Sequence, residues 1–307
     1  MKECQIVEIE NDARFIGVER GFLVIKNLGT EIGRIPLDSI CAVVCTANYG
    51  TVSTQTISAL SEYNIPLVVC NKRTKTPTCV LIPLAYNWRQ GDIMEAQAFC
   101  THSKKKLVWK TIVKAKLLQQ SQVLKYLNKP FELIKNLSDM VKAGDPENIE
   151  GRGANAYWKI LMGQSFRRNR DDENENILFN YGYTILRAAT IRAICAAGLN
   201  PSIGVHHCSS TNQARLADDL MESFRPFVDI KVFEICQDGD SELNKENKKK
   251  LSSVLTDRYF RKEKITSVQQ MLYDTAIDFA KFCSNEITEF KIDIVKSKNL
   301  CNTNNET

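Results

Sequence analysis

Residues 204–226, "GVHHCSSTNQARLADDLMESFRP", set two adjacent histidines, His206 and His207, ahead of a short polar loop and three acids, Asp218, Asp219 and Glu222. Imidazole and carboxylate groups at this density are donors for a divalent cation. A site with one imidazole and two carboxylates suits Mg2+ or Mn2+ better than zinc. The third histidine, His102, is far away in sequence, which weakens a three-histidine zinc scheme. In an extended segment neighbouring side chains point to opposite faces, so only one of the doublet is expected to bind. A helix beginning near Thr211 or Asn212 would bury Ala217, Leu220, Met221 and Phe224. The same helix would turn Arg215, Asp218, Asp219 and Glu222 to the other side. Like charges so spaced repel, and either a cation or local ion pairs with Arg215 or Arg225 would relieve them. The spacing leaves both readings open, and it does not choose between the histidines.

A second unusual stretch is "AGDPENIEGRGANAYWKIL", residues 143–161. Asp145 followed by Pro146 reads as a helix start, which places Gly151 and Gly153 in the second turn. Each glycine costs roughly 1 kcal/mol against alanine in a helix interior. Two reasons compete. One is tight packing of helices. The other is close approach of a bulky ligand, such as a phosphodiester backbone, beside Glu150, with Arg152 and Lys159 as phosphate contacts.

These residues need elements to hold them. Residues 1 to about 84 carry short runs of β-formers ("CQIVEIE", "ARFIGVE", "GFLVIK", "ICAVVC", "IPLVVC"), separated by turn signals such as "ERG" and "NLGT". One helix interrupts them, in "TVSTQTISALSEYN". After "AYNWRQGD" the pattern changes to long helices. "HSKKKLVWKTIVKAKLLQQSQVLKYL" carries Leu107, Val108, Ile112 and Leu118 on one stripe. "NYGYTILRAATIRAICAAGL" stops at Gly198, and a last helix spans about Ser267 to Phe282. The expected fold is α+β. An N-terminal β-sandwich-like domain (1–84) precedes a linker (85–92), a larger all-α catalytic domain (93–295) and a flexible tail (296–307).

Composition narrows the function classes. The chain has 307 residues, 43% of them apolar and 25% charged, as in a soluble globular protein. It lacks the roughly 18 uninterrupted apolar residues of a membrane helix, and its N-terminus turns acidic at once, unlike a signal peptide. Its 11 scattered cysteines read as reduced thiols of a cytoplasmic protein. The net charge is only +5, but no acid stands between Glu95 and Glu132, where Lys104, Lys105, Lys106, Lys110, Lys114 and Lys116 fall. Such a field attracts a polyanion, unless it is simply a solvated helix face. "FRRNR" (166–170), with Arg167 and Arg168, and "DRYFRKEK" (257–264), with Arg258, are further basic runs.

The segments "ENIEGRGANAYW", "NYGYTILRA", "GLNPSIGVHH" and "LADDLMESFRPFVD" occur in the order found in one family, behind an N-terminal β domain. The chain resembles the CRISPR-associated integrases of the adaptation module, the Cas-one family, over nearly its whole length. It looks most like the members that accompany type II systems. The resemblance implies a catalytic metal site of Glu150, His207 and Glu222, with Asp219 either a fourth ligand or a group behind the ligands. Family members commonly have an apolar residue where His206 stands. The resemblance also implies Mg2+ or Mn2+ as cofactor and double-stranded DNA as substrate. The activity it implies is attack of a fragment's 3′-hydroxyl on a phosphodiester of a CRISPR repeat, with no covalent enzyme intermediate. Lys104, Lys105, Lys106, Lys110, Arg152, Lys159, Arg167, Arg168 and Arg258 would then neutralise phosphates. Tyr181, Tyr183 and Arg187 either shape the site or pack helices. The implied partners are a second copy of the chain, a small dimeric Cas-two protein bridging two dimers, and other type II adaptation proteins. Two other readings use the same residues: a catalytically silent DNA-binding subunit, and an unrelated metal-dependent phosphoesterase.

Overall fold

The computed structural model describes residues 5–63, 65–70, 77–81, 87–169 and 175–300. The chain divides into two compact units, Met1–Trp88 and Arg89–Thr307.

The first unit contains two four-stranded sheets. One orders β1 (Gln5–Ile9), β5 (Ile40–Cys45), β7 (Leu67–Cys70) and β8 (Pro77–Leu81). Its first three strands are parallel and β8 is antiparallel to β7. The other orders β4 (Thr30–Pro36), β3 (Phe22–Asn27), β2 (Arg14–Glu19) and β6 (Gly50–Val52). The predicted turns do form. "ERG" and "NLGT" each close a hairpin with two residues at positive φ, Arg20 with Gly21 and Leu28 with Gly29. That conformation matches the right-handed twist of the flanking strands. Helix α1 (Thr54–Glu62) is capped by the Ser53 hydroxyl, which accepts from the Thr56 N–H at 3.1 Å. Val7, Ile16, Leu23, Val43, Leu60 and Leu67 bring both sheets and the helix into one core.

The second unit is helical: α2 (Gln90–Ala98), α3 (His102–Tyr126), α4 (Glu132–Met140), α5 (Ile149–Met162), α6 (Asn176–Ala196), α7 (Arg215–Met221), α8 (Arg225–Gln237), α9 (Lys245–Ser253) and α10 (Val268–Cys283). It begins earlier than residue 93, because α2 starts at Gln90. It is also not purely helical. "DRYFRKEK" forms a hairpin of β9 (Arg258–Arg261) and β10 (Lys264–Ser267). Tyr259 is buried while Arg258 and Phe260 face out, the two-residue alternation of a strand.

Helix α3 runs through the unit. Val108, Trp109, Ile112, Val113, Leu117, Val123 and Leu124 are buried along it, whereas Leu107, expected on this stripe, is exposed. The end of the described chain also corrects the expected tail. The Gln119 amide bonds both backbone groups of Val295, at 2.8 and 3.2 Å, and Gln122 accepts from the Ser297 N–H at 2.9 Å. Residues 295–300 are therefore tied to α3, with Val295 and Leu300 buried. Residues 301–307 of the predicted tail, and 82–86 around the predicted linker, lie outside the described residues.

Candidate metal centre

Glu150 stands in the first turn of α5. That helix starts at Ile149, later than the Asp145–Pro146 pair suggests. Asp145 still satisfies its free N–H groups, from a distance: its carboxylate accepts from Ile149 at 2.8 Å and Glu150 at 2.9 Å. Asn148, at φ 49, is the cap proper and accepts from Gly151 at 3.2 Å. The two glycines have separate reasons. A Cβ at Gly151 would lie 2.8 Å from the capping Asn148 amide. A Cβ at Gly153 would lie 2.2 Å from Leu117 Cδ2, so α5 presses against α3 there. Of the two competing reasons, helix packing accounts for Gly153.

The acidic stretch is not a solvated face, one of the two readings its spacing left open. Helix α7 starts only at Arg215 and passes at Glu222–Phe224 into a tighter 3-10 turn. Leu216, Ala217, Leu220, Met221 and Phe224 are buried, but so are Asp219 and Glu222. This element is enclosed on both sides, and each buried carboxylate has found donors. Asp219 accepts from the backbone N–H of Val205 at 2.6 Å, His206 at 3.1 Å and His207 at 3.1 Å. Its Oδ1 also meets His207 Nδ1 at 2.7 Å. The loop before α7 thus wraps this carboxylate, and Gly204 permits it: a Cβ there would sit 3.0 Å from Asp219 Oδ2. Both Asp219 oxygens are thus engaged, and Oδ1 holds the His207 ring from behind. Asp218 is held by Arg187 at 2.8 Å and by Asn212 at 2.6 Å. Arg187 thereby secures the loop that carries the histidines.

The histidine doublet does not point to opposite faces: both rings lie against Trp109, because the segment is a bend and not an extended strand. His206 is exposed and lies flat on Trp109, with ring centroids 4.0 Å apart and planes 2° from parallel. His207 is turned 82° from it. The Asp219 contact at Nδ1 leaves Nε2 of His207 as the nitrogen open to a ligand, the arrangement common in metal-binding histidines. The hydrogen bond to Asp219 raises the His207 pKa. Burial opposes that rise, and the charges of Asp219, Glu222 and Asp218 add to it.

Lys116 is the residue that sequence reasoning missed. Its ammonium lies between Glu150 and Glu222, bonded to Glu150 and at 2.6 Å from Glu222 Oε2. The other Glu222 oxygen receives Arg225 at 2.9 Å. Burial pushes the Glu222 carboxyl up, but Arg225, Lys116 and His207 outweigh it and lower it to about 2. Glu222 is therefore ionised at any physiological pH. A signal existed: Lys116 follows Ile112 by four residues and precedes Val123 by seven, so it falls within the buried stripe of its helix.

Among the described residues no three His, Cys, Asp or Glu side chains converge tightly enough to hold a metal ion. Two carboxylates do converge on one cation, the Lys116 ammonium, beside an imidazole with a free Nε2. The donor chemistry fits a hard divalent cation.

The model of the family described as "CRISPR associated protein Cas1" matches residues 7–270. The chain belongs to the Cas1 family. A Cas1 endonuclease of Neisseria meningitidis is 30% identical over 233 residues, covering 75% of each chain. One from Pyrobaculum aerophilum is 26% identical over 243 residues, 73% of this chain and 80% of that one. Among solved structures, a CAS1 protein from Thermotoga maritima superposes with a TM-score of 0.76 at 16% identity, covering 94% of this chain and 99% of that one. A casposase bound to an integration product gives 0.79 at 18% identity, covering 95% and 93%. A Cas6-RT-Cas1–Cas2 complex chain gives 0.73 at 20% identity, covering 95% of this chain and 36% of that one. These likenesses establish that the mixed fold, strands followed by helices, is the Cas1 fold.

The basic residues of this Cas1-family chain fall into two groups. Lys106, Lys110, Arg152, Arg167 and Arg258 are exposed, and Lys105 and Lys159 half-buried. Lys104 and Arg168 do structural work. The Lys104 ammonium bonds Asn285 Oδ1 at 2.5 Å and the Phe282 carbonyl at 3.0 Å. Arg168 bonds Asn176 and Asn180 and lies over the rings of Phe179 and Tyr183. Arg170 of "FRRNR" lies outside the described residues. Among the described residues no helix is long and apolar enough to cross a membrane.

Proposed function

We propose that this chain is a metal-dependent DNA endonuclease and integrase that inserts short DNA fragments into a CRISPR array. The observation that carries this reading is the convergence of Glu150 and Glu222 on one cation, beside an imidazole that Asp219 orients. Curated relatives named Cas1 endonucleases and the similar fold of a casposase bound to an integration product support it.

Glu150, His207 through Nε2, and Glu222 would hold Mg2+ or Mn2+. Such an ion, when bound, stabilises charge on the phosphorane oxygens and lowers the pKa of the attacking hydroxyl. The chain's own residues prepare for this. Arg225 keeps Glu222 ionised, and Asp219 fixes the tautomer and direction of His207. Lys106, Lys110, Arg152 and Arg258 are exposed cations of the kind that position a phosphate backbone. Among the candidate contacts, Lys104 and Arg168 are the least available. A Cas2-type protein is the proposed partner, because a chain similar in fold belongs to a Cas1–Cas2 complex. A second copy of the chain, and other proteins of a type II system, complete the proposed assembly.

The two other readings are weaker. A silent DNA-binding subunit would not need donor residues at every ligand position, yet glutamate, histidine and glutamate occupy them. A small-molecule phosphoesterase does not account for the exposed basic residues. Transfer of a labelled DNA fragment into repeat DNA, with Mg2+ or Mn2+, tests the proposal. Glu150→Gln, His207→Ala and Glu222→Gln should each abolish it, and full activity in His207→Ala would remove that residue from the centre.

A further inference from the structure

Both carboxylates of the centre already have a cation of the protein against them. Glu150 and Glu222 carry two negative charges, and Lys116 and Arg225 carry two positive ones. The neighbouring acids have partners of their own. Asp219 is satisfied by three backbone N–H groups and His207 Nδ1, and Asp218 by Arg187 and Asn212. Lys116 is no surface lysine reaching inwards. It stands in the buried stripe of α3 between Ile112, Val113 and Leu117, where an apolar side chain would avoid the cost of burying an ammonium. Both of its ion-pair partners are the proposed acidic ligands.

A divalent cation entering this set must displace Lys116 from those carboxylates. The displaced ammonium would then stand beside the cation, in surroundings where like charges repel far more than in water. Two consequences follow. The cation alone should bind weakly. An anion placed against both cations should strengthen its binding, and a phosphodiester is the anion that the proposed reaction brings.

We infer that Lys116 is a resident cation that makes divalent-metal binding conditional on a DNA phosphate, to which its ammonium passes from Glu150 and Glu222. This rests on the proposed function and adds a role for a residue outside the ligand set. Lys116 thereby holds the two carboxylates until metal and DNA bind together, and contacts a phosphate once they have. Binding linkage is reciprocal, so the metal must tighten DNA binding by the factor by which DNA tightens metal binding.

The test measures Mn2+ binding by the loss of the free-ion paramagnetic resonance signal. The full chain is used alone and with a short duplex whose 3′ ends lack the hydroxyl, so that no reaction runs. Duplex without protein, and duplex with Glu150→Gln protein, give the Mn2+ held by DNA itself. In the unsubstituted protein the duplex should tighten Mn2+ binding by about tenfold or more, within the usual range of coupling between ligands. Lys116→Met should bind Mn2+ about tenfold more tightly without DNA, and most of the DNA dependence should vanish. Lys116→Arg, which keeps the charge, should retain the coupling and serves where the methionine variant folds poorly. If the unsubstituted protein binds Mn2+ as tightly without DNA as with it, the inference fails and the proposed function stands. It fails equally if Lys116→Met binds Mn2+ no more tightly than the unsubstituted protein. If neither Mn2+ nor duplex binds under any condition, the proposed function fails with it.

Discussion

Two carboxylates in adjoining elements, Glu222 and Asp229, are both buried, and the fold treats them in opposite ways. Glu222 has Lys116 and Arg225 on its two oxygens and is lowered to about 2. Asp229, on α8, receives the Tyr183 hydroxyl. Burial raises it to about 7, and the hydroxyls of Tyr183 and Tyr157 and the charge of Arg225 offset this only in part. The difference lies in the partners, not in depth. A phenol bonds one oxygen of a carboxyl without neutralising it, and Asp229 Oδ2 has no hydrogen-bond partner among the described residues, whereas ammonium and guanidinium hold a carboxyl ionised. The fold keeps a permanent charge where two cations are supplied and a protonatable structural group where they are not.

Substitutions that attack the charged member should have the largest effects. Glu150→Gln, His207→Ala and Glu222→Gln are expected to lower strand transfer by about a thousandfold or more, whereas His206→Ala should keep most of it. Gel analysis of labelled products measures this. Removing the central cation is next. Lys116→Ala leaves two carboxylates facing each other and should cost about 3 kcal/mol in urea unfolding of the metal-free protein. Asp219→Asn keeps the size of the side chain but weakens the hold on His207. It should reduce Mn2+ affinity or activity by about 10- to 100-fold.

The tyrosine-bonded member gives a smaller effect of defined sign. The folded pKa of Asp229 lies above its ordinary value of 3.8, so folding binds a proton there. Its contribution is fully present below about pH 4 and is lost as pH rises through about 7. Unfolding at constant urea should show stability falling across that window, on the order of 1 kcal/mol per pH unit, with the slope removed in Asp229→Asn. The smallest effects belong to exposed lysines. Lys106→Ala or Lys110→Ala should change stability by less than about 0.5 kcal/mol. Each should reduce the log–log salt slope of DNA binding by about one where it meets a phosphate.

Much of this was legible in the residues. Two-residue turns with glycine, the capping serine of α1, and Gly198 after α6 mark element ends through local chemistry, so local reading finds them. Glu150, His207 and Glu222 owe their selection to family resemblance, because spacing alone could not choose between His206 and His207. What escaped was tertiary. Periodicity put Asp219 and Glu222 opposite the buried stripe and left a solvated face open as one reading, because it cannot see that a loop and α3 cover that side. Lys116 was counted with its exposed neighbours, although its place in the stripe distinguished it. "DRYFRKEK" reads as charge before it reads as a strand. The segment after Val295 looks like a tail because the glutamines that hold it lie far upstream.

Gly153 is one turn of α5 beyond Glu150, and the side chain it lacks is what allows Leu117, next to Lys116, to come so near. A side chain at 153 would have to push the end of Leu117 aside, one residue from the ammonium that Glu150 holds. The packing of one glycine and the ion pair of the centre therefore meet in a single stretch of α3.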